Sequence, residues 1–166
     1  MTSLRTLLML GILALFAACA AQPTKFRSYD GPEVTSLVLF KAQRQMLVMH
    51  DNTVLLAMSF ELGFSPVGPK LYERDGRTPE GTYRINRRNP NSQFHLSLGI
   101  SYPNVDQFAA ADAIGQDAGG EIFIHGTPRR NAGDDDWTVG CIAVTNDEIE
   151  QLYAMVKDGT PIFIMP

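Results

Sequence analysis

From residue 36 onward the apolar residues fall in short runs broken by glycine, proline, aspartate and asparagine, and that spacing excludes most architectures. "SLVLFKA" (36–42), "QMLVMH" (45–50), "VLLAMSFELG" (54–63), "TYRINRR" (82–88), "FHLSLGIS" (94–101), "EIFIHG" (121–126) and "TPIFIM" (160–165) alternate or stay apolar over strand length. Asp51 and Asn52 supply turn chemistry between the second and third runs. "SPVGPK" and "ERDGRTPEG" read as loops through their glycines and prolines. Two stretches have the helical period instead. "NVDQFAAADAIG" begins on Asn104, a good N-cap, and ends on Gly115. "TNDEIEQLYAMVKDG" opens with a Thr145-x-x-Glu148 capping box and puts Ile149, Leu152, Tyr153 and Val156 on one face, with Gly159 as the expected stop. The expected fold class is mainly β with one or two packed helices. At 166 residues and 45% hydrophobic content the chain is long and apolar enough for one domain with its own core.

The first residues do not fit that pattern. Arg5 precedes an unbroken apolar run from Leu7 to Ala18, closed by small residues, which is the layout of an export signal and too short for a comfortable membrane span. Residues 1–18 are therefore expected to be a signal peptide and 19–35, with their Pro and Gly breaks, a tether. "FAAC" resembles a bacterial lipoprotein cleavage box with Cys19 as the acylated residue, although Phe16 stands where leucine is usual. Ordinary cleavage before Ala21 is the competing reading. Acyl chains on Cys19 would hold the protein on a membrane, each buried methylene contributing about 0.8 kcal/mol. The location expected is the periplasm or cell envelope.

Cys19 and Cys141 are the two cysteines of the chain. If Cys19 is acylated or removed, Cys141 is a lone thiol in an oxidising compartment, a pattern that points to a reactive group. A Cys19–Cys141 disulfide is the alternative. His125 ends an apolar strand and Gly126 follows it; Cys141 opens the next apolar segment behind Gly140. A free thiol, with a reference pKa of about 8.5, needs a base, and an imidazole titrating near 6.5 suits that task. Backbone N–H groups around Gly140 and Cys141 are the natural oxyanion donors. From these residues alone a buried core cysteine and a hydrogen-bonded core histidine are the favoured readings. One candidate thiol and scattered histidines lack metal-ligand spacing, so no metal and no cofactor are expected. A net charge of −4 without a basic cluster argues against nucleic acid as a partner.

The neighbouring residues tip the balance. The His125-Gly126 pair, a polar loop, then "TVGCIAVTNDEIEQLY" and "GTPIFI" resemble the L,D-transpeptidase catalytic domain family (YkuD-like). "GRTPEGTYRINRRNPNSQFHLSLGISYPN" resembles its upstream run. The resemblance covers residues 36–166 and implies an L,D-transpeptidase-like β-sandwich or barrel. It makes Cys141 the nucleophile, His125 the general base and acid, Gly126 the carbonyl that orients the imidazole, and Gly140 with Cys141 the oxyanion hole. Two positions depart from it. Val139 replaces a second histidine, and Ala143 replaces an arginine suited to gripping a substrate carboxylate. Arg129 or Arg130 would have to take over that grip, with solvated loop charges as the alternative. His95 and Thr138 are weaker groove candidates, against a packing role and a turn role. Trp137 either covers the site or anchors its loop, Asp134–Asp136 read as a solvated charge run, Arg84 as a possible partner for a peptide carboxylate, and residues 78–81 as a turn shaping the groove.

The function the resemblance implies is acyl transfer on peptidoglycan stem peptides through a thioester. Hydrolysis of stem-peptide links, as an L,D-carboxypeptidase or amidase, would use the same residues. A non-catalytic wall-binding lipoprotein is the reading from a different class.

Overall fold

The computed structural model describes residues 24–166. Eight strands form one sheet in the order β3-β2-β1-β8-β4-β5-β6-β7. They are β1 (Ser36–Phe40), β2 (Gln45–His50), β3 (Thr53–Ser59), β4 (Gly81–Asn89), β5 (Ser97–Ile100), β6 (Phe123–His125), β7 (Ile142–Ala143) and β8 (Pro161–Met165). Among the described residues two α-helices accompany them, α1 (Val105–Ala113) and α2 (Asn146–Met155). The mainly β class with two helices is as expected from the sequence.

The sheet curls because β4 serves two neighbours in turn. Its first half pairs with β8 and its second with β5, with a bulge between Ile85 and Arg87 where the strand changes partners. Bulges bend and twist a strand. The curl then closes on itself. Past Ser59 the partner strand β2 has run out, so the chain leaves the ladder and Phe60–Gly63 crosses to the far edge. Glu61 and Ala143 exchange both backbone hydrogen bonds, at 2.8 and 2.9 Å, while the Thr138 N–H donates to the Leu62 carbonyl and Phe64 N–H to the Thr138 carbonyl, each at 3.0 Å. The apolar run 54–63 is thus a strand plus a seam, not one long strand.

Alternation puts Leu37, Leu39, Met46, Val48, Ile85, Leu98, Ile124, Ile142, Ile162 and Ile164 inside, with Ile149 and Leu152 of α2 packed on them. Both capping boxes form: Asn104 with Gln107, and Thr145 with Glu148. Gly159 does not stop α2. The helix ends at Met155, Val156 is already extended, and Gly159, at φ +92°, forms the turn into β8.

Lys41 is the largest polar group enclosed. It is 2% exposed, and its Nζ donates to the Gly68 and Thr78 carbonyls and to Glu80 Oε1 at 2.6, 3.0 and 2.8 Å. One ammonium therefore pins the whole 68–80 loop to β1. Removing one partner of a buried pair leaves the others unsatisfied. Lys41→Ala is expected to lower stability by about 3 kcal/mol, read as a shift of the urea unfolding midpoint.

Candidate active site

β6 and β7 run parallel, with Ile124 opposite Ile142 and His125 opposite Ala143. Ile124 and Ile142 are fully buried and point into the core. Their neighbours therefore point to the other face, which puts Phe123, His125 and Cys141 together there. Cys141 stands one strand across and two residues back from His125, a Cα separation of about 8 Å from strand spacing and rise. Both side chains line one open cavity of about 490 Å³, with Asn89, Phe94, Ser97, Glu121 and Phe123 among the other walls. Ser97 faces His125 across the β5–β6 ladder.

The imidazole is held on three sides. Its Nδ1 donates to the Gly126 carbonyl at 2.8 Å, which leaves Nε2 as the acceptor. Phe94 stacks on the ring at 4.5 Å between centroids, and Trp137 meets it edge-on at 5.6 Å. Burial pushes the imidazole pKa below its ordinary 6.5, and the Gly126 bond opposes that only in part. Gly126 has to be glycine for this packing. A Cβ there would stand 2.9 Å from the Phe94 carbonyl and 2.3 Å from Asn146 Oδ1.

Cys141 is half-buried, with no disulfide among the described residues. Its Sγ donates to the Glu121 carbonyl at 3.5 Å. Burial pushes the thiol pKa above its ordinary value, so at neutral pH the pair rests as thiol and neutral imidazole. The turn that presents the sulfur is built from below. Thr138 Oγ accepts from Gly140 N–H at 3.1 Å and donates to the Cys141 carbonyl at 2.8 Å. Thr78 Oγ donates to the Gly140 carbonyl at 2.9 Å. Gly140 sits at φ +122°, with the Arg77 carbonyl 2.5 Å from where a Cβ would be, so no other residue fits.

Several of the weaker sequence candidates lie elsewhere. Thr138 is 4% exposed and braces the turn from beneath instead of lining the groove. The Gly140 N–H, expected as an oxyanion donor, is occupied by that same hydroxyl. His95 turns away from the cavity, its Nε2 on Glu150 Oε1 at 2.7 Å. Arg129 is exposed in a short 3-10 turn, Arg129–Asn131, outside the cavity wall. Arg84 donates to the Gly159 carbonyl, on another part of the sheet. Asp136 is not a solvated charge: Arg44 grips it through Nε and Nη2 at 3.1 and 2.5 Å, and the Leu62 N–H donates to it. Asp134 and Asp135 are exposed. Cys19 lies outside the described residues.

Two residues lining the same cavity escaped the sequence reading. Phe94 stands beside the histidine that drew attention, on the side that reaches the site. Glu121 takes a positive φ of 53°, aims its carbonyl at the thiol, and pairs its carboxylate with Arg87 at 2.6 Å. The Arg87 guanidinium lies over Phe123 at 4.8 Å, beside the cavity. Polar atoms of β4, with no local motif around them, thus border the site.

A second cavity, about 380 Å³, lies beyond Trp137 and Ala143. The described residues contain no cluster of metal-ligating side chains.

Known proteins resemble this chain in sequence and fold. Residues 35–164 match the YkuD family, the L,D-transpeptidase catalytic domain. The chain is 30% identical over 102 residues to "Putative L,D-transpeptidase YafK" of Escherichia coli, 60% of this chain and 36% of YafK. It is 28% identical over 132 residues to "Putative L,D-transpeptidase YqjB" of Bacillus subtilis, 77% of this chain and 69% of YqjB. The chain thus spans about a third of YafK's length. Among solved structures, the helical cell shape determining protein Pgp2 from Campylobacter jejuni superposes with a TM-score of 0.62 at 27% identity, covering 82% of this chain and 48% of Pgp2. An L,D-transpeptidase from Mycobacterium smegmatis shares the fold at TM-score 0.55 and 20% identity, covering 82% of this chain and 60% of that one. With the family matched along nearly all of its described length and the curled sheet shared with these structures, the chain belongs to the L,D-transpeptidase catalytic domain family.

Proposed function

We propose that this chain is a peptidoglycan L,D-transpeptidase working through a thioester on Cys141. One observation carries the reading: a free thiol and an imidazole with its acceptor nitrogen unclaimed line the same open cavity from neighbouring strands. Sγ attacks the carbonyl of the diamino acid at position three of a stem tetrapeptide, and the thiol proton passes to His125 Nε2. The oxyanion faces the Cys141 N–H, since the Gly140 N–H is held by Thr138. The C–N bond to the terminal D-alanine breaks, and His125 returns the proton to the leaving amine. An acceptor amine then attacks the thioester, giving its proton to Nε2, and the departing thiolate takes it back.

Residues 1–18 act in this reading as an export signal and Cys19 as the acylation site, so the domain works in the envelope on a membrane tether. The test is liquid chromatography–mass spectrometry of muropeptides after incubation of sacculi with purified protein. Tripeptide-linked dimers are expected. Loss of D-alanine alone would assign a carboxypeptidase, and binding with no change in muropeptides a non-catalytic wall protein.

A further inference from the structure

His95 sits at φ +75°, and the Leu96 N–H donates back to the Phe94 carbonyl at 3.1 Å. That is a γ-turn of the rare positive-φ form, strained for a residue with a side chain. Such a turn persists only where its surroundings hold it. Here they do so at both ends of the residue. His95 Nε2 is bound to Glu150 Oε1 at 2.7 Å, and the His95 carbonyl accepts from Lys25 Nζ at 3.0 Å. Glu150 is braced in turn by Arg27, whose Nε donates to Oε2 at 2.9 Å, and Arg27 also reaches Asp147. Lys25 holds the Pro90 carbonyl as well, and Phe26 packs against Tyr153 of α2.

The turn has one visible product. It takes Phe94 out of the β5 ladder and lays its ring on the His125 imidazole at 4.5 Å. The Phe94 carbonyl accepts from Gly126 N–H at 3.0 Å, so Phe94 also anchors the residue whose carbonyl holds Nδ1. We propose that His95 and Glu150 form a latch that positions the base, keeping Phe94 stacked on His125, with Lys25 and Arg27 of the N-terminal segment bracing the latch from outside. The proposal rests on His125 serving as the base for Cys141. His95 and Glu150 are positioning residues: neither lines the cavity around the sulfur. The segment leading into the domain is thereby coupled to the catalytic imidazole.

The test is the rate of Cys141 alkylation by iodoacetamide at pH 7, in the full chain carrying Cys19→Ser so that Cys141 is the single thiol. His95→Gly accepts the positive φ without strain but has no side chain to reach Glu150. Glu150→Ala removes the acceptor from a helix that alanine favours. Both are expected to slow alkylation roughly tenfold, less than the hundredfold that a misplacement of about 1 Å costs. His95→Gln, which puts an amide nitrogen where Nε2 was, is expected to stay within about twofold of the parent, as rescue of a positioning group by a similar donor. Phe94→Ala added to His95→Gly is expected to slow the reaction little further, because both changes remove one interaction. Parental rates in His95→Gly and Glu150→Ala, with His125→Gln slow, would overturn the latch. A parental rate in His125→Gln would instead overturn the assignment of the base.

Discussion

Cys141→Ala is expected to leave a folded protein that produces no cross-linked muropeptide. The sulfur contributes little to the core: it is half-buried, and its hydrogen bond to the Glu121 carbonyl at 3.5 Å is a weak donor's. The turn around it is held by Thr138, Thr78 and Gly140, none of which the substitution touches. Melting temperature should therefore move by only a degree or two. Turnover should fall by about a millionfold, the scale seen when a nucleophile acting in concert with its base is deleted. Muropeptide analysis beside a melting curve checks both halves at once. Retained cross-linking in a folded Cys141→Ala protein would remove the thioester from the mechanism.

The second large effect is at the base. His125→Gln keeps a hydrogen-bonding group of similar length but no group that takes a proton near neutrality. A general base is worth about 10²–10⁴ in rate, and the loss should fall at the upper end because burial already raises the thiol pKa. In the parent protein the pH profile of kcat/KM should fall on the acid side with a midpoint below 6.5, since His125 must be neutral to accept the proton and burial holds its pKa under that value. In His125→Gln that acid limb should vanish, and alkylation of the thiol should rise only as pH passes its own raised pKa. The same burial has a consequence for stability. An unfolded histidine takes up a proton near 6.5 and the buried one only at lower pH, so the contribution is complete above 6.5 and is lost as pH falls through the folded value. Thermal melts between pH 7 and pH 5 check the sign.

The sequence carried the elements whose cause is local. Alternation marks the strands because a half-buried sheet has period two, and both capping boxes could be read because their donors and acceptors lie three residues apart. His125 and Cys141 stood out for a similar reason: each ends or opens an apolar run next to glycine. What escaped was long-range. Asp136 looked solvated because Arg44, its partner, is 92 residues away in sequence. His95 stayed open between groove and packing because nothing nearby in sequence announces Glu150, 55 residues on, or the backbone reversal that sends its neighbour to the site instead. Thr138 was ambiguous between site and turn, and only the approach of residues 78 and 141 separates the two roles.

The seam joining Glu61–Gly63 to Thr138 and Ala143 has a kinetic corollary. It ties together segments some 80 positions apart, and closing so large a loop comes at an entropic cost that only the finished barrel repays. The turn presenting the sulfur hangs from that junction, so Cys141 and His125 should come together only after the bulk of the sheet has zipped up. Until then the thiol is solvated and keeps an unshifted pKa, so the order in which the backbone assembles decides when base-assisted reactivity replaces that of an ordinary cysteine.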